Sequence, residues 1–363
     1  MAGRVAVIGT GLIGGSVGLA LAARGFEVVG FDRDESRLAR AKQLGAITEI
    51  GVTLDDAVAG ADLVIVAVPV GAIAATVVAA LDAGAAVVTD VGSVKAPVVS
   101  EVERARPDAS ARFVGGHPMA GSEQDGVDGA DATLFVGSTW VLTPTSNTDE
   151  RAYTLVLRIV RDLGGDIVTV TPEHHDELVA LVSHVPQLAA STLMDVATAN
   201  EDDRRTMLRL AAGGFRDMTR IAAGHPGIWP DILSTNRDAV LAALDTYVAA
   251  LLRAREIVAS GAREDLLALL ERARAARRNL PLGVSMATKL VEFRVPVPDR
   301  PGVLAEVTTL AGRLGVNVVD VEIAHSLEGG RGVIVLVVAA MDADAYEGGL
   351  HDLGYRPSRT ELA

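Results

Sequence analysis

Three groups of residues in this 363-residue chain have types and spacings suited to chemistry. The first is Gly9-x-Gly11-x-x-Gly14, with Leu12 and Ile13 between its last two glycines. It follows the apolar run Val5–Ile8 and opens a helix-like stretch, the context in which this spacing holds a dinucleotide. Gly9 permits the tight turn, Gly11 leaves room for a pyrophosphate, and Gly14 lets the helix pack on the strand. The helix N-terminus offers its unpaired N–H groups to the phosphates. Asp32 ends the next apolar run. An acid there accepts from the ribose hydroxyls and repels a 2′-phosphate, so NAD is expected in preference to NADP, with Arg33 next door to soften the choice. The second group closes two further strands: Val68-Pro69-Val70, and Asp90-Val91-Gly92-Ser93-Val94-Lys95. In an open α/β sheet ligands sit beyond the carboxyl ends of the strands, which puts Val68, Pro69 and Ser93 beside the cofactor. The third is His117, held between Gly116 and Pro118 after a strand. A histidine there can take up a proton near pH 7, and activity is expected to rise with pH through about 6–7. Ser93 is its expected hydrogen-bond partner.

These residues need elements to hold them, and the chain divides into three regions by pattern. Up to about residue 168, short apolar runs alternate with helix-like stretches. Besides Val5–Ile8 they are Val28–Phe31, Leu63–Val68, Ala86–Thr89, Arg112–Val114 and Thr139–Leu142. Such runs predict a doubly wound, mostly parallel sheet of the Rossmann type in an α/β protein, with helices on both faces. Residues 169–284 lose the strand signal. Thr171-Pro172-Glu173 reads as a helix start, with Thr as N-cap and Pro at the first helical position. Long Ala-, Leu-, Arg- and Glu-rich stretches follow, including Arg237–Ser260 and Arg263–Arg278, and predict an all-helical domain. Residues 289–363 read strand, helix, strand, strand, helix and a short final strand, a βαββαβ unit with its own core. Ser183 and Gln187 stand at i,i+4, hence on one helix face.

Composition removes several classes of function. The chain has no cysteine, so disulfides, thiolate metal sites and cysteine nucleophiles are excluded. Nothing in the sequence points to a metal site. A formal charge of −14 argues against a broad grip on nucleic acid or an anionic membrane. An anionic small molecule would need a local pocket of Arg, His or helix N-termini. The uncharged stretch Leu63–Leu81 is broken by Pro69 and Gly71, and reads as strand, turn and helix rather than a membrane span. The start, MAGRVAVIGTG, lacks the regions of a signal peptide, and the cytoplasm is the expected location. All but three of the 33 basic residues are arginine; the lysines are Lys42, Lys95 and Lys289.

The segments GTGLIGGSVGLAL, DVGSVKAPV, GGHPMAGSEQDG, SHVPQ and GGFRDMTRIA, in this order, resemble the TyrA family of prephenate and arogenate dehydrogenases. The final VPDRPGVLAEVTTLAGRLGVNVVDVEI resembles an ACT domain. The resemblance covers nearly the whole chain and implies NAD-dependent oxidative decarboxylation. Hydride leaves the ring carbon that bears the hydroxyl, the ring carboxylate departs as CO2, and the ring becomes aromatic. By resemblance His117 takes or polarises the hydroxyl proton with help from Ser93, and Arg220 holds a substrate carboxylate through its guanidinium fork. Asp217 would hold Arg220 from i,i+3. Ser183, His184, Gln187 and His175 are expected around the substrate. Gln187 stands where the family often has a second His, which bears on the choice between prephenate and arogenate. Trp229 matches a tryptophan that reaches the neighbouring subunit's site. The family pairs through its helical domain, so a homodimer is implied. In the ACT-like unit Asp299, Arg300, Gly302 and Asn317 would form the ligand loop, with Asp299 capping the helix, for L-tyrosine first and phenylalanine second.

Two other readings compete. A β-hydroxyacid or 6-phosphogluconate type of dehydrogenase relies on a helical Lys, and Thr171–Leu280 has none. A non-catalytic protein that senses NAD and an amino acid would not need His117 and Arg220 together.

Overall fold

The computed structural model describes residues 3–362 apart from Ser122, Glu123, Asp125, 200–205, Leu208, 279–289, Asp299 and 326–330. The chain divides into two compact units, Met1–Arg253 and Ala254–Ala363.

The first unit is built on strands β1 (Arg4–Ile8), β2 (Glu27–Phe31), β3 (Glu49–Ile50), β4 (Leu63–Val66), β5 (Val88–Asp90), β6 (Phe113–Pro118), β7 (Thr139–Thr143) and β8 (Asp166–Thr169). They form one sheet in the order β3-β2-β1-β4-β5-β6-β7-β8. Side chains alternate between two cores, as the two-residue period of a strand requires. Val5, Val7, Leu63 and Ile65 face one core with helices α1 (Leu12–Ala23) and α6 (Glu150–Asp162). Ala6, Ile8, Val64 and Val66 face the other with α4 (Val70–Asp82) and α5 (Ala96–Ala105). The segment Leu63–Leu81 is thus a strand, a turn and a helix. Between α1 and α4 lie α2 (Glu35–Gln43) and α3 (Leu54–Val58), each started by a side-chain cap, Asp34 and Thr53.

Two features of the sheet go beyond the sequence reading. Strands β3 and β8 are largely exposed and carry no continuous apolar run, so they left no signal. The β6–β7 pairing is antiparallel, with His117 opposite Val141 and Pro118 opposite Trp140. On its other side β6 runs parallel to β5, with Thr89 opposite Val114. His117 therefore projects beyond the carboxyl end of β5, on the same sheet edge as the end of β1.

The helices that follow are α7 (Pro172–Val179), α8 (Val185–Thr198), α9 (Gly213–Thr219), α10 (Trp229–Thr235) and α11 (Arg237–Ser260), which runs on into the second unit. Thr171 caps α7 by accepting from the His174 N–H, and Pro172 takes the first helical position, as expected. Between α7 and α8 the turn Ala180–His184 is π-wound. Pro186 accounts for it: it has no N–H to donate and its ring crowds the carbonyl four residues back, so the helix widens there. Among the described residues no helix is long and apolar enough to cross a membrane.

The second unit contains α12 (Arg263–Arg278), β9 (Leu290–Pro298), α13 (Val303–Leu314), β10 (Val318–His325), β11 (Arg331–Ala339), α14 (Ala343–Asp352) and β12 (Ser358–Leu362). Its antiparallel sheet has the order β10-β11-β9-β12. Val291, Phe293, Val295 and Val297 of β9 alternate inward, onto Val303, Val307 and Ala311 of α13 and Tyr346 and Leu350 of α14.

Candidate active site

The loop after β1 has the shape a dinucleotide needs. Gly9 has φ 96°, and its N–H donates to Phe31 O. A Cβ on Gly14 would stand 1.9 Å from Gly9 O, which commits that position to glycine. Gly11 caps α1 with no side-chain bond, and a Cβ on it would meet nothing within 4 Å. That side of the loop is open, so the N–H groups of the α1 N-terminus, including those of Leu12 and Ile13, fit a pyrophosphate. Val68 and Pro69 stand between β4 and the start of α4, on the same sheet edge. The Asp32 carboxylate folds back on the loop. Its Oδ2 accepts from the Thr10 N–H at 2.7 Å and the Thr10 hydroxyl at 3.1 Å, and Oδ1 accepts from the Asp34 N–H. The Arg37 guanidinium lies 3.9 Å away.

Around His117 the structure assembles a buried polar cluster. The His117 Nδ1 lies 2.8 Å from His175 Nε2, with the rings edge-on. His175 Nδ1 in turn lies 2.7 Å from Asp176 Oδ1. Among the described hydrogen bonds the partner of His117 is His175, not the expected Ser93. Ser93 is half-buried in the turn after β5, and it is His175 of α7 that meets the imidazole Nδ1. The Asp176 carboxylate is anchored at the start of α5, where Lys95 N–H donates to Oδ1 and Ala96 N–H to Oδ2, both at 2.8 Å. Lys95 is fully buried; its ammonium bonds the Asp90 carboxylate and donates to Gly116 O at 2.8 Å. Asp90 also accepts from the N–H groups of Gly92 and Gly116. A Cβ on Gly116 would stand 2.7 Å from Asp90 O, so this close approach needs glycine.

The electrostatics follow from burial. Desolvation, with His175, Lys95 and His184 nearby, holds the His117 pKa well below the ordinary histidine value. That environment favours the neutral ring and moves the expected pH rise below the ordinary histidine range. His184 is pulled down to about 4, chiefly by burial. Burial also lowers the Lys95 pKa, against the opposing pull of Asp90 and Asp176. His184 packs edge-on to Trp229 of its own chain, with ring centroids 6.2 Å apart. Asn236 Nδ2 donates to Asp176 O at 2.9 Å and lies 3.3 Å from His184 Nδ1.

The remaining sequence candidates are spread more widely. Gln187 is buried, its amide 3.4 Å from Ser191 Oγ, and Ser183 is half-buried in the π turn. Arg220 is exposed just after α9, which carries Asp217. In the second unit Gly302, with φ 91°, takes the N-cap position of α13, and Asn317 is exposed. The proposed cap, Asp299, lies outside the described residues, and Gly302 itself starts the helix. Arg300 bonds Glu306, whose carboxylate also accepts from the Tyr355 hydroxyl. Sequence reasoning passed over Asp90, Lys95, Asp176 and Asn236. Lys95 carried a signal, being one of three lysines in an arginine-rich chain, inside a turn already singled out. Asp176 carried little, because, besides its neighbour His175, its carboxylate is held by backbone N–H groups some eighty positions away.

Comparisons with known proteins agree with this arrangement. Residues 17–169 match the family described as prephenate dehydrogenase, nucleotide-binding domain; residues 171–272 match prephenate dehydrogenase, dimerization domain; and residues 291–350 match the ACT domain. The chain is 32% identical over 336 residues to the prephenate dehydrogenase of Bacillus subtilis, covering 91% of this chain and 90% of that one. A crystal structure of prephenate dehydrogenase from A. aeolicus in complex with hydroxyphenyl propionate and NAD+ is similar with TM-score 0.70 and 31% identity, over 76% of this chain and 98% of that one. The structure of Synechocystis arogenate dehydrogenase is similar with TM-score 0.67 and 30% identity, over 76% and 98%.

Proposed function

The chain belongs to the prephenate dehydrogenase family, and from that premise we propose that it converts prephenate to 4-hydroxyphenylpyruvate by oxidative decarboxylation with NAD. The observation that carries the chemistry is His117, a half-buried imidazole whose surroundings favour its neutral form, beyond the carboxyl end of β5 on the sheet edge where the glycine loop opens. NAD, when bound, supplies the acceptor for the hydride that leaves the substrate. Gly9, Gly11, Leu12, Ile13 and Gly14 would hold the pyrophosphate, Asp32 the adenosine ribose, and Val68, Pro69 and Ser93 the rest of that sheet edge. His117 takes the proton of the substrate hydroxyl as its carbon becomes a carbonyl. Loss of the ring carboxylate as CO2 then completes the aromatic ring. The substrate carries two carboxylates, and in a chain of net charge −14 they need a dedicated cation. Arg220 is that cation in this reading, with Asp217 beside it and Ser183, His184 and Gln187 around the substrate.

Arogenate, which would give L-tyrosine directly, is the second reading. It is supported by the match to the Synechocystis enzyme and by Gln187 and His184, two uncharged groups that set no fixed charge against an amino group. The subunits pair through the helical region, which leaves Leu241, Val248, Leu251 and Leu252 of α11 exposed in the single chain. Trp229 would border the partner's site. The ACT unit takes L-tyrosine as effector at Arg300, Gly302 and Asn317. The deciding experiment follows NAD reduction with purified protein on prephenate and on arogenate. Faster turnover of prephenate is the expected result; faster turnover of arogenate would transfer the assignment to it, and turnover of neither would end the enzymatic reading.

A further inference from the structure

We propose that Asp176 and His175 are positioning residues that fix the tautomer of His117, with its proton on Nδ1 and a bare Nε2 facing the substrate. This rests on the reading of His117 as the base. The tautomer follows from the contacts that join Asp176, His175 and His117. An ionised carboxylate only accepts hydrogen bonds. Asp176 cannot swing away, because the N–H groups of Lys95 and Ala96 hold both of its oxygens. His175 Nδ1, 2.7 Å from Oδ1, must therefore carry a hydrogen. A neutral imidazole has one N–H, so His175 Nε2 is an acceptor. It lies 2.8 Å from His117 Nδ1, which must then be the donor. The lone pair of His117 is left on Nε2.

The opposite arrangement would set two lone pairs against each other at one of these contacts, or place a second charge on His175, which is 1% exposed. With both ring nitrogens engaged, His175 has none left for a substrate, which sets this role apart from direct substrate binding. The backbone is held from the other side, since Lys95 bonds Gly116 O and Asp90 bonds Gly116 N. In the chemical step the substrate O–H breaks and its proton forms a bond to His117 Nε2. His117 becomes an imidazolium that keeps donating from Nδ1 to His175, and Asp176 stabilises the charge through the intervening ring.

The first test is nitrogen-15 NMR of the intact protein labelled at histidine, which does not depend on turnover. His117 should show a protonated Nδ1 and an unprotonated Nε2 near pH 7.5; a protonated Nε2 overturns the proposal. The second compares His175→Leu with His175→Gln, whose Oε1 can accept where Nε2 did. His175→Leu should lower kcat roughly 10²-fold or more with substrate KM nearly unchanged, and His175→Gln should recover at least about tenfold of that loss. Equal activity of the two variants, or a loss confined to KM, overturns the positioning role. If the variants do not fold, the wild-type tautomer decides alone. Failure of wild-type protein to turn over either substrate would reject the functional reading, whatever tautomer the NMR shows.

Discussion

In the proposed function the chemistry rests on one ring, His117, and desolvation of that ring sets its working range. A base must be neutral, so activity is present above its pKa and is lost as pH falls through it. Desolvation disfavours the charged ring and His175, Lys95 and His184 add to it, while Asp90 and Asp176 bond those neighbours rather than His117 itself. The acidic limb of kcat/KM, which reports the free enzyme, should therefore lie below the ordinary histidine range. A limb centred at 6.5 or above would contradict this environment. His117→Asn should lower kcat about 10²–10⁴-fold and leave NAD affinity unchanged. Cofactor choice also belongs to single side chains. Asp32 stands at the end of β2 with Arg33 beside it and Arg37 3.9 Å away. Asp32→Ser should thus narrow or invert the preference for NAD, because it removes the repulsion of a 2′-phosphate and leaves two arginines. The ratio of kcat/KM for the two cofactors measures this; wild-type protein that already favours NADP would refute it.

Elements, rather than single residues, decide whether that ring is in place. Strands β5 and β6 and the start of α5 are tied together by Asp90 and Lys95, both completely buried. Such a pair contributes little compared with an apolar pair, but breaking it leaves an uncompensated charge in the core. Lys95→Met should destabilise the folded chain by about 3–5 kcal/mol, read from urea unfolding. A change within about 0.5 kcal/mol, the scale of ordinary surface substitutions, would show that water or local rearrangement relieves Asp90. The π turn at Ala180–His184 matters at the same scale, since it precedes α8 and carries both Ser183 and His184.

The whole molecule adds association and regulation. Sedimentation at micromolar concentration should give a dimer, because a single chain leaves a row of aliphatic side chains on α11 in water. A stable, fully active monomer would refute the pairing. L-Tyrosine should inhibit through the ACT unit. Gly302, with φ 91°, has a backbone that a β-branched residue adopts only under strain, so Gly302→Val should abolish tyrosine inhibition and leave the uninhibited rate unchanged. Inhibition that survives in the variant would place tyrosine elsewhere, most simply in the active site.

Local rules sufficed for much of this protein. Residues that act on near neighbours were legible from the sequence: the Gly9–Gly14 turn, the Thr171–Pro172 start of α7, and the spans of α11 and α12. Apolar runs that lie in a buried parallel sheet announced themselves, whereas β3 and β8, exposed and short, did not. His117 was legible because a strand end and its flanking Gly and Pro confine it. Its partner was not. Ser93, much nearer in sequence, was the expectation, and only packing brings His175 across 58 positions to the ring. The same holds for Asp176, which reaches α5 across about eighty positions. Periodicity and turn chemistry report forces that act within a few residues. A hydrogen-bonded chain that joins a strand residue to two helix residues exists only after the sheet edge and the helices have closed around it, and desolvation there, not residue type, favours the neutral imidazole.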